Sequence, residues 1–218
     1  MQASASAQLV DKKSDYWSIS VAYPKFSART TSAAFANKWA RVTEGKVFDE
    51  FLAQAKRDLP ELKRMRSSAQ YDLLVQPTIT LQSALVCSGY ATSYAYTGGA
   101  HGMTSFTPIN VSSSGKTIKL ADLFVRGADS VGECSYAILG ELLRQERGSY
   151  VLSGEWKRLE PAQVNQFVLT PDGILFLFGP YELGPYSDGA FLVKIPYSRL
   201  QGLDINGPYG GLFNPKKK

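Results

Sequence analysis

The chain has 218 residues, of which 44% are hydrophobic, and a formal net charge of +5. Such a chain can bury a normal core, and it lacks any run near the roughly 18 apolar residues that a membrane-spanning helix needs. Its single histidine, His101, argues against zinc hydrolases, which use several histidine ligands. We therefore expect a folded domain with no membrane span, no bound metal and no cofactor.

The first half of the chain predicts a strand, a long helix and then a group of strands. Residues 1–8, MQASASAQ, are typical of the sequence that remains after signal-peptide cleavage, and equally of a disordered N-terminus. Alternating apolar residues from Tyr16 to Tyr23 indicate a half-buried strand. Helical spacing follows from Thr31 to Leu59, and Pro60 ends this helix or opens a new turn. The β-rich block that ends near Val111 predicts two or three strands with bulges.

The second half predicts a helix, a hairpin and a last strand. Ser130 and Glu133 fit a capping box, and the apolar face that follows continues to Arg147. The segment FVLTPDGILFLF predicts a hairpin that turns at Pro171-Asp172-Gly173, and AFLVKIP predicts a strand.

This order of elements predicts an α+β fold, with antiparallel sheets and two main helices packed on one side. We divide the chain into an N-terminal α+β subdomain, residues 14–110, and a C-terminal α+β subdomain, residues 111–203. Residues 1–13 and 204–218 are interpreted as tails.

The two cysteines, Cys87 and Cys134, exclude a zinc site of the CxxC type. They form either a single disulfide or two buried free thiols. A disulfide across this separation would stabilise the fold by roughly 4 kcal/mol in the chain-entropy model, in an oxidising compartment.

The positive charge is concentrated in the segment Lys56 to Arg66 and in the last three lysines, 216–218. Acidic residues are interleaved with the basic ones in the helical segment, and few aromatic residues are nearby. This pattern favours a solvated helix face over a nucleic-acid interface. We expect no nucleic-acid partner.

The candidate catalytic groups lie in and near YAYTGGAHG, residues 94–102, which contains His101. Ser93 and Ser105 are near His101 in sequence, but no GxSxG motif is present. The glycines lack the spacing of a phosphate-binding loop and favour a turn that His101 shapes. The loop GPYELGPYSDG carries Glu182 and Asp188 among tyrosines, a composition found both in binding surfaces and in ordered loops that cover a core. No catalytic residue is assigned.

Three segments in combination, YAYTGGAHG, GKTIKLADLF and FGPYELGPYSDGAFLVKIPYSRL, resemble a known pair of bacterial cell-envelope domains. These are the extracytoplasmic domain of the RsiV anti-sigma factors and the noncatalytic N-terminal region of the PdaC peptidoglycan deacetylases. The resemblance spans roughly residues 15–203 and implies an exported α and β binding domain, known in RsiV as a receptor for lysozyme. The histidine-rich metal site of a deacetylase and a sigma-binding segment are absent from this sequence, so neither activity is carried over.

We therefore expect a periplasmic or extracellular binding domain, whose signal peptide or anchor has been removed, with a lysozyme-type protein or a cell-wall glycan as its partner. A basic lysozyme would gain no long-range attraction from a positively charged chain, unless Asp172, Glu182 and Asp188 supply a local acidic surface. Two alternatives are a small envelope hydrolase that acts on glycans or esters through His101 and a carboxylate, and a structural interaction module. The candidate ligand-binding residues are Tyr96, His101, Tyr181, Glu182, Tyr186 and Asp188.

Overall fold

The computed structural model of the protein describes residues 6–27, 29–64, 70–200 and 209. The strands are β1 (Ser6–Lys13), β2 (Trp17–Pro24), β3 (Tyr71–Gln82), β4 (Val86–Tyr96), β5 (Met103–Ser112), β6 (Phe167–Leu169), β7 (Gly173–Phe178) and β8 (Phe191–Pro196). The helices are α1 (Thr31–Arg64), α2 (Ala128–Arg144), α3 (Ser149–Leu152) and α4 (Pro161–Val164). Short 3₁₀ turns lie at Leu120–Leu123, Tyr186–Asp188 and Tyr197–Arg199.

The strands form two sheets, which confirms the predicted α+β fold class. Strands β1 to β5 form one sheet in chain order, and β6, β7 and β8 form the other. The pairs are antiparallel except for β2 and β3, which run parallel. This departure from the expected antiparallel sheet arises because α1 connects the two strands, as a parallel crossover requires.

Each sheet carries one main helix on one face. The alternation of side chains along β4 places Cys87 and Ala91 toward α1, where they join clusters with Ala36 and Phe51. Apolar residues of α2, among them Ile138, pack instead with the β6–β8 sheet. Burial of these two apolar helix faces anchors α1 and α2.

The two sheets meet through their remaining faces and share buried hydrogen bonds. Tyr90 of β4 packs with Val168 and Leu177 of the smaller sheet. Asn110 donates to the Phe167 carbonyl at 2.7 Å and accepts from the Ser88 hydroxyl at 2.6 Å. Leu169 is bonded through both of its backbone groups: its amide donates to Ser88 Oγ, and its carbonyl accepts from the Thr80 hydroxyl. These bonds satisfy the outer backbone groups of the edge strand β6 and fix how the sheets dock. The division of the chain after residue 110 stays a prediction.

The N-terminal tail was predicted too long. Residues 6–13 form β1, an edge strand paired antiparallel with β2. A bulge between Gln8 and Val10 lets the adjacent apolar residues Leu9 and Val10 both pack on the core. Two adjacent apolar residues give no strand periodicity in the sequence, which explains the miss. The other predicted tail, residues 204–218, lies outside the described residues except for Tyr209.

Two predicted helix ends also differ from the structure. α1 continues through Pro60 to Arg64, and its Leu62 packs against the core. α2 begins at Ala128 after Gly127, whose φ of 55° favours glycine, so Ser130 lies inside the first turn instead of capping it. The Ser130 hydroxyl is buried without a hydrogen-bond partner among the described residues.

Both cysteines are free and buried, so the disulfide between Cys87 and Cys134 is not formed. Cys87 faces α1, whereas its neighbour Val86 points through the other face of the sheet into the cluster that contains Cys134. The two thiols therefore belong to separate cores, and burial raises the pKa of Cys134 to about 12. The alternative of two buried thiols describes this structure.

The C-terminal end of α2 is tied to the turn after β8 by a buried carboxylate. Glu141 accepts hydrogen bonds from Arg144, Gln145 and Arg199. The bonds from Arg144, followed by those from Gln145 and Arg199, lower the pKa of Glu141 to about 2 against the opposing effect of burial. The helix and the turn are thus joined by an ion pair whose strength depends on an ionised carboxylate.

Candidate functional site

A cluster of three rings, two exposed and one half-buried, forms where the β4–β5 loop meets the loop between β7 and β8. The His101 ring stacks on the Tyr186 ring, with 3.6 Å between the centroids and 18° between the planes. The Tyr181 ring lies 5.7 Å from the Tyr186 ring and 6.4 Å from the His101 ring, tilted to both. We call these three rings the aromatic corner.

Hydrogen bonds fix the orientation of the histidine in the aromatic corner. His101 Nδ1 lies 3.1 Å from the Gly102 carbonyl oxygen, which also accepts from the Tyr186 hydroxyl at 2.9 Å. A carbonyl oxygen only accepts, so Nδ1 carries the proton of the neutral ring. Nε2 is then an acceptor, and it faces the Tyr181 hydroxyl at 3.4 Å.

Tyr181 is held in a backbone conformation that side chains rarely adopt. Its φ is 71°, one of two positive values among the described non-glycine residues, and its side chain is 48% exposed. A bulky residue in this region stores roughly 1 to 3 kcal/mol of strain, which the surrounding contacts must offset. An exposed and strained aromatic residue is typical of a site under functional constraint.

The two candidate carboxylates serve the loop that carries the tyrosines. Glu182 accepts from the Gly179 amide at 3.1 Å, and burial raises the pKa of Glu182 although this bond opposes the change. Asp188 accepts from the Ser149 amide at 3.1 Å and from the Ser149 hydroxyl at 2.5 Å. Both carboxylates therefore brace the loop between β7 and β8.

The expected acidic surface is also partly neutralised at Asp172. This carboxylate pairs with Lys194 at 2.7 Å, and the hydrogen bond from Lys194 lowers the pKa of Asp172. The three acids proposed to attract a basic partner, Asp172, Glu182 and Asp188, are thus all engaged within the protein.

Tyr96 shapes the β4–β5 loop. Its hydroxyl donates to the Gly99 carbonyl at 3.0 Å, within the turn formed by Gly98 and Gly99, which both have positive φ. The structure therefore brings together His101, Tyr181 and Tyr186. Tyr96 instead stabilises the β4–β5 loop, which carries His101.

Two residues that contribute to the site, Gly102 and Ser149, were not predicted from the sequence. A side-chain carbon on Gly102 would lie 2.4 Å from the outer end of the Tyr94 ring, so a larger residue here would require that ring to shift. The position of Gly102 directly after the only histidine was the available signal. Ser149 gave no signal, because it lies 39 positions from Asp188 and binds it only in the folded chain.

The contacts of His101 are not those of a catalytic triad. The ring nitrogens of His101 face a carbonyl oxygen and a tyrosine hydroxyl, and the nearby Ser93 is a buried residue whose hydroxyl has no partner among the described residues. In the ranges that the structure describes, no group of three His, Cys, Asp or Glu side chains could hold a metal ion.

The basic segment on α1 is described from Lys56 to Arg64; Arg66 lies outside the described residues. Arg64 pairs with Glu61 at 2.5 Å, and Arg57 donates to Gln54. Lys63 lies over the Tyr16 ring, with its nitrogen 5.8 Å from the ring centre. These local partners fit the solvated helix face that the sequence predicts.

Two family models match the chain in succession. Residues 10–104 match the model described as deacetylase PdaC, and residues 121–198 match the model described as protein of unknown function (DUF3298). His101 lies in the first matched range, and Tyr181 and Tyr186 lie in the second. The aromatic corner is therefore built by both matched regions together.

The chain is also similar to curated mycobacterial proteins and to solved structures of the DUF3298 family. Immunogenic protein MPT64 of Mycobacterium tuberculosis is 28% identical over 160 residues, covering 71% of this chain and 67% of that protein. Esterase Rv3036c of the same organism is 31% identical over 110 residues, so the match spans 50% of this chain and 48% of the esterase. A DUF3298-family structure from Bacteroides fragilis covers 99% of both chains with a TM-score of 0.69 and 19% identity. Another from Pseudomonas aeruginosa has a TM-score of 0.51 and 26% identity over 61% of this chain and 62% of that one.

Proposed function

We propose that the chain, which matches the PdaC and DUF3298 models in succession, is an exported cell-envelope binding domain for a lysozyme-like hydrolase or a cell-wall glycan. The aromatic corner is the single observation that carries this proposal. Exposed tyrosines offer large, rigid contact surfaces at low cost in conformational entropy. Here they are held by a stack and by hydrogen bonds before any ligand arrives.

An extracellular or periplasmic location accords with the matched domains. No helix of the described ranges has the length and apolar character needed to cross a membrane. Both cysteines are buried, where they are shielded from an oxidising compartment.

Calorimetry tests the proposal directly. The purified protein is titrated with a panel of lysozymes and with soluble peptidoglycan fragments, at low and high salt. Tyr181→Ala should weaken binding by at least tenfold, as is common for exposed aromatic residues at the centre of an interface. Tyr136→Ala is the matched control, because Tyr136 is 65% exposed on α2, outside the aromatic corner.

The carboxylates are poorer test positions than Tyr181. Removing Asp188 would free Ser149 and loosen the loop, so a loss of affinity would not separate contact from scaffolding. Unchanged affinity of Tyr181→Ala for a bound ligand would place the binding surface elsewhere. Absence of binding to every lysozyme and fragment would contradict the proposal and favour a structural interaction module.

Ester hydrolysis is a second candidate function, favoured by the similarity to the mycobacterial esterase over half of the chain. In this reading, Nε2 of His101 is the base. Turnover of p-nitrophenyl acetate and longer esters by the purified protein, lost in His101→Ala with an unchanged melting temperature, would establish this activity. Turnover that persists in His101→Ala would exclude this histidine as the base.

A further inference from the structure

The charges around the aromatic corner narrow the class of ligand. Near the corner, Asp188 accepts hydrogen bonds from Ser149 and Glu182 accepts one from the Gly179 amide, whereas Asp172 lies at the other end of β7, paired with Lys194. The chain as a whole carries a net charge of +5. This net positive charge gives a strongly basic partner an unfavourable long-range field, and both carboxylates near the corner already accept hydrogen bonds within the protein.

The corner instead exposes aromatic surface to solvent. Tyr181 is 48% exposed, and its ring is tilted against the stacked pair of His101 and Tyr186. The face of an aromatic ring carries negative partial charge, whereas the C–H bonds on one side of a sugar ring carry positive partial charge. Such a surface matches an uncharged ring that has both an apolar side and hydroxyl groups.

The Tyr181 hydroxyl adds a directional group beside this aromatic face. Because Nδ1 of His101 donates to the Gly102 carbonyl, Nε2 accepts from the Tyr181 hydroxyl. The hydroxyl proton then points toward the histidine, and the oxygen lone pairs remain available to a donor in the ligand. His101 is thus a positioning residue that presents Tyr181 as a hydrogen-bond acceptor.

We propose that the aromatic corner binds an uncharged saccharide, with its C–H side against the Tyr181 ring and one of its hydroxyl groups donating to the Tyr181 oxygen. This inference rests on the proposed binding function and selects its glycan form. Binding in this mode is only weakly sensitive to salt, since no net charge is neutralised.

Two matched oligosaccharides test the ligand class. The tetramer of N-acetylglucosamine is uncharged, whereas the tetramer of glucosamine has the same backbone with one cationic amine on each sugar. Calorimetric titration of the intact protein should show binding of the N-acetylated tetramer, with less than a twofold change in affinity between low and physiological salt. The cationic tetramer should bind no more tightly.

Three variants separate the roles of the ring, the hydroxyl and the histidine. Tyr181→Phe keeps the ring and should weaken binding about fivefold, the usual effect of one lost hydrogen bond. Tyr181→Ala should weaken it much further. His101→Phe preserves an aromatic ring against Tyr186 but removes the acceptor, so it should weaken binding of the wild-type protein and have little further effect in a Tyr181→Phe background. Tyr136→Phe is the control.

Each outcome has a distinct meaning. Lysozyme binding without saccharide binding would overturn this inference and leave the proposed function intact. Tighter binding of the cationic tetramer would overturn it in favour of an acidic surface. Failure of lysozymes, peptidoglycan fragments and both tetramers would remove the proposed function as well. If His101→Phe weakens binding equally in the wild-type protein and in the Tyr181→Phe variant, the histidine does not act through the Tyr181 hydroxyl.

Discussion

Glu44 should make the protein less stable as the pH rises. This residue of α1 is fully buried, and neither carboxylate oxygen has a hydrogen-bond partner among the described residues. Burial alone raises the pKa of Glu44 from 4.5 to about 7. The folded state therefore binds this proton more tightly than the unfolded state, so the free energy of unfolding falls as the pH rises through that window.

The size of the effect follows from the pKa. One tenfold change in proton affinity equals about 1.4 kcal/mol, so the rise sets an upper limit of about 3 kcal/mol above pH 7. Water entry and relaxation around the charge reduce this value, and we expect about 2 kcal/mol. Glu44→Gln removes the charge and keeps the size, so it should raise the melting temperature by about 4 to 8 °C at pH 8 and by little at pH 5.

The assay is urea and thermal unfolding of the wild type and of Glu44→Gln between pH 5 and pH 8. Glu50→Gln is the control, because Glu50 is exposed on the same helix. A stability difference between wild type and Glu44→Gln that does not grow with pH, or an equal gain in the control, would show that Glu44 does not have this effect.

Three further predictions concern stability. Arg199→Ala should move the midpoint of acid unfolding to higher pH. The low pKa of Glu141 gives stability that is present above pH 4.5 and lost as the pH falls toward 2. An acid titration followed by circular dichroism that shows an unchanged midpoint would exclude a stabilising role of the Arg199–Glu141 ion pair. Asn110→Ala leaves buried groups of both sheets without partners and should lower the free energy of unfolding by about 2 to 3 kcal/mol in urea; a loss under 0.5 kcal/mol would mean that other contacts hold the sheets. Gly89→Ala places a carbon 2.5 Å from a backbone oxygen of β3 and should destabilise the protein by about 1 to 3 kcal/mol. Gly140→Ala meets nothing within 4 Å and should stabilise the protein by about 0.5 to 1 kcal/mol. Melting temperatures that change in the same direction for both variants would contradict this prediction.

Local patterns in the sequence were sufficient for most of the fold. The apolar spacing after Thr31 predicted α1, and the turn at Pro171-Asp172-Gly173 predicted the β6–β7 hairpin. Both patterns depend on neighbours in the chain. β1 was missed because its pairing with β2 and its bulge stabilise it more than its own composition does. The parallel pairing of β2 and β3 was missed because it depends on how α1 returns the chain.

The candidate site was predicted in its residues and not in its arrangement. The composition of the two loops indicated His101, Tyr181 and Tyr186 as a binding surface, but the histidine and Tyr181 lie 80 positions apart. Their contact depends on the docking of two sheets through Asn110 and Ser88, which no local pattern specifies. The bracing roles of Glu182 and Asp188 likewise require the folded loop, and the part of these acids in ligand binding stays a prediction.

The signal of the His101 side chain offers the most direct test of the central claim. Because His101 is the only histidine, its imidazole resonances in a ¹⁵N-labelled sample need no assignment by mutagenesis. We predict that a soluble peptidoglycan digest, added in steps, shifts these resonances in a saturable way, with the same midpoint as calorimetry of the same sample. Binding detected by calorimetry while the His101 resonances stay unchanged would show that the ligand occupies another surface, and would contradict the account.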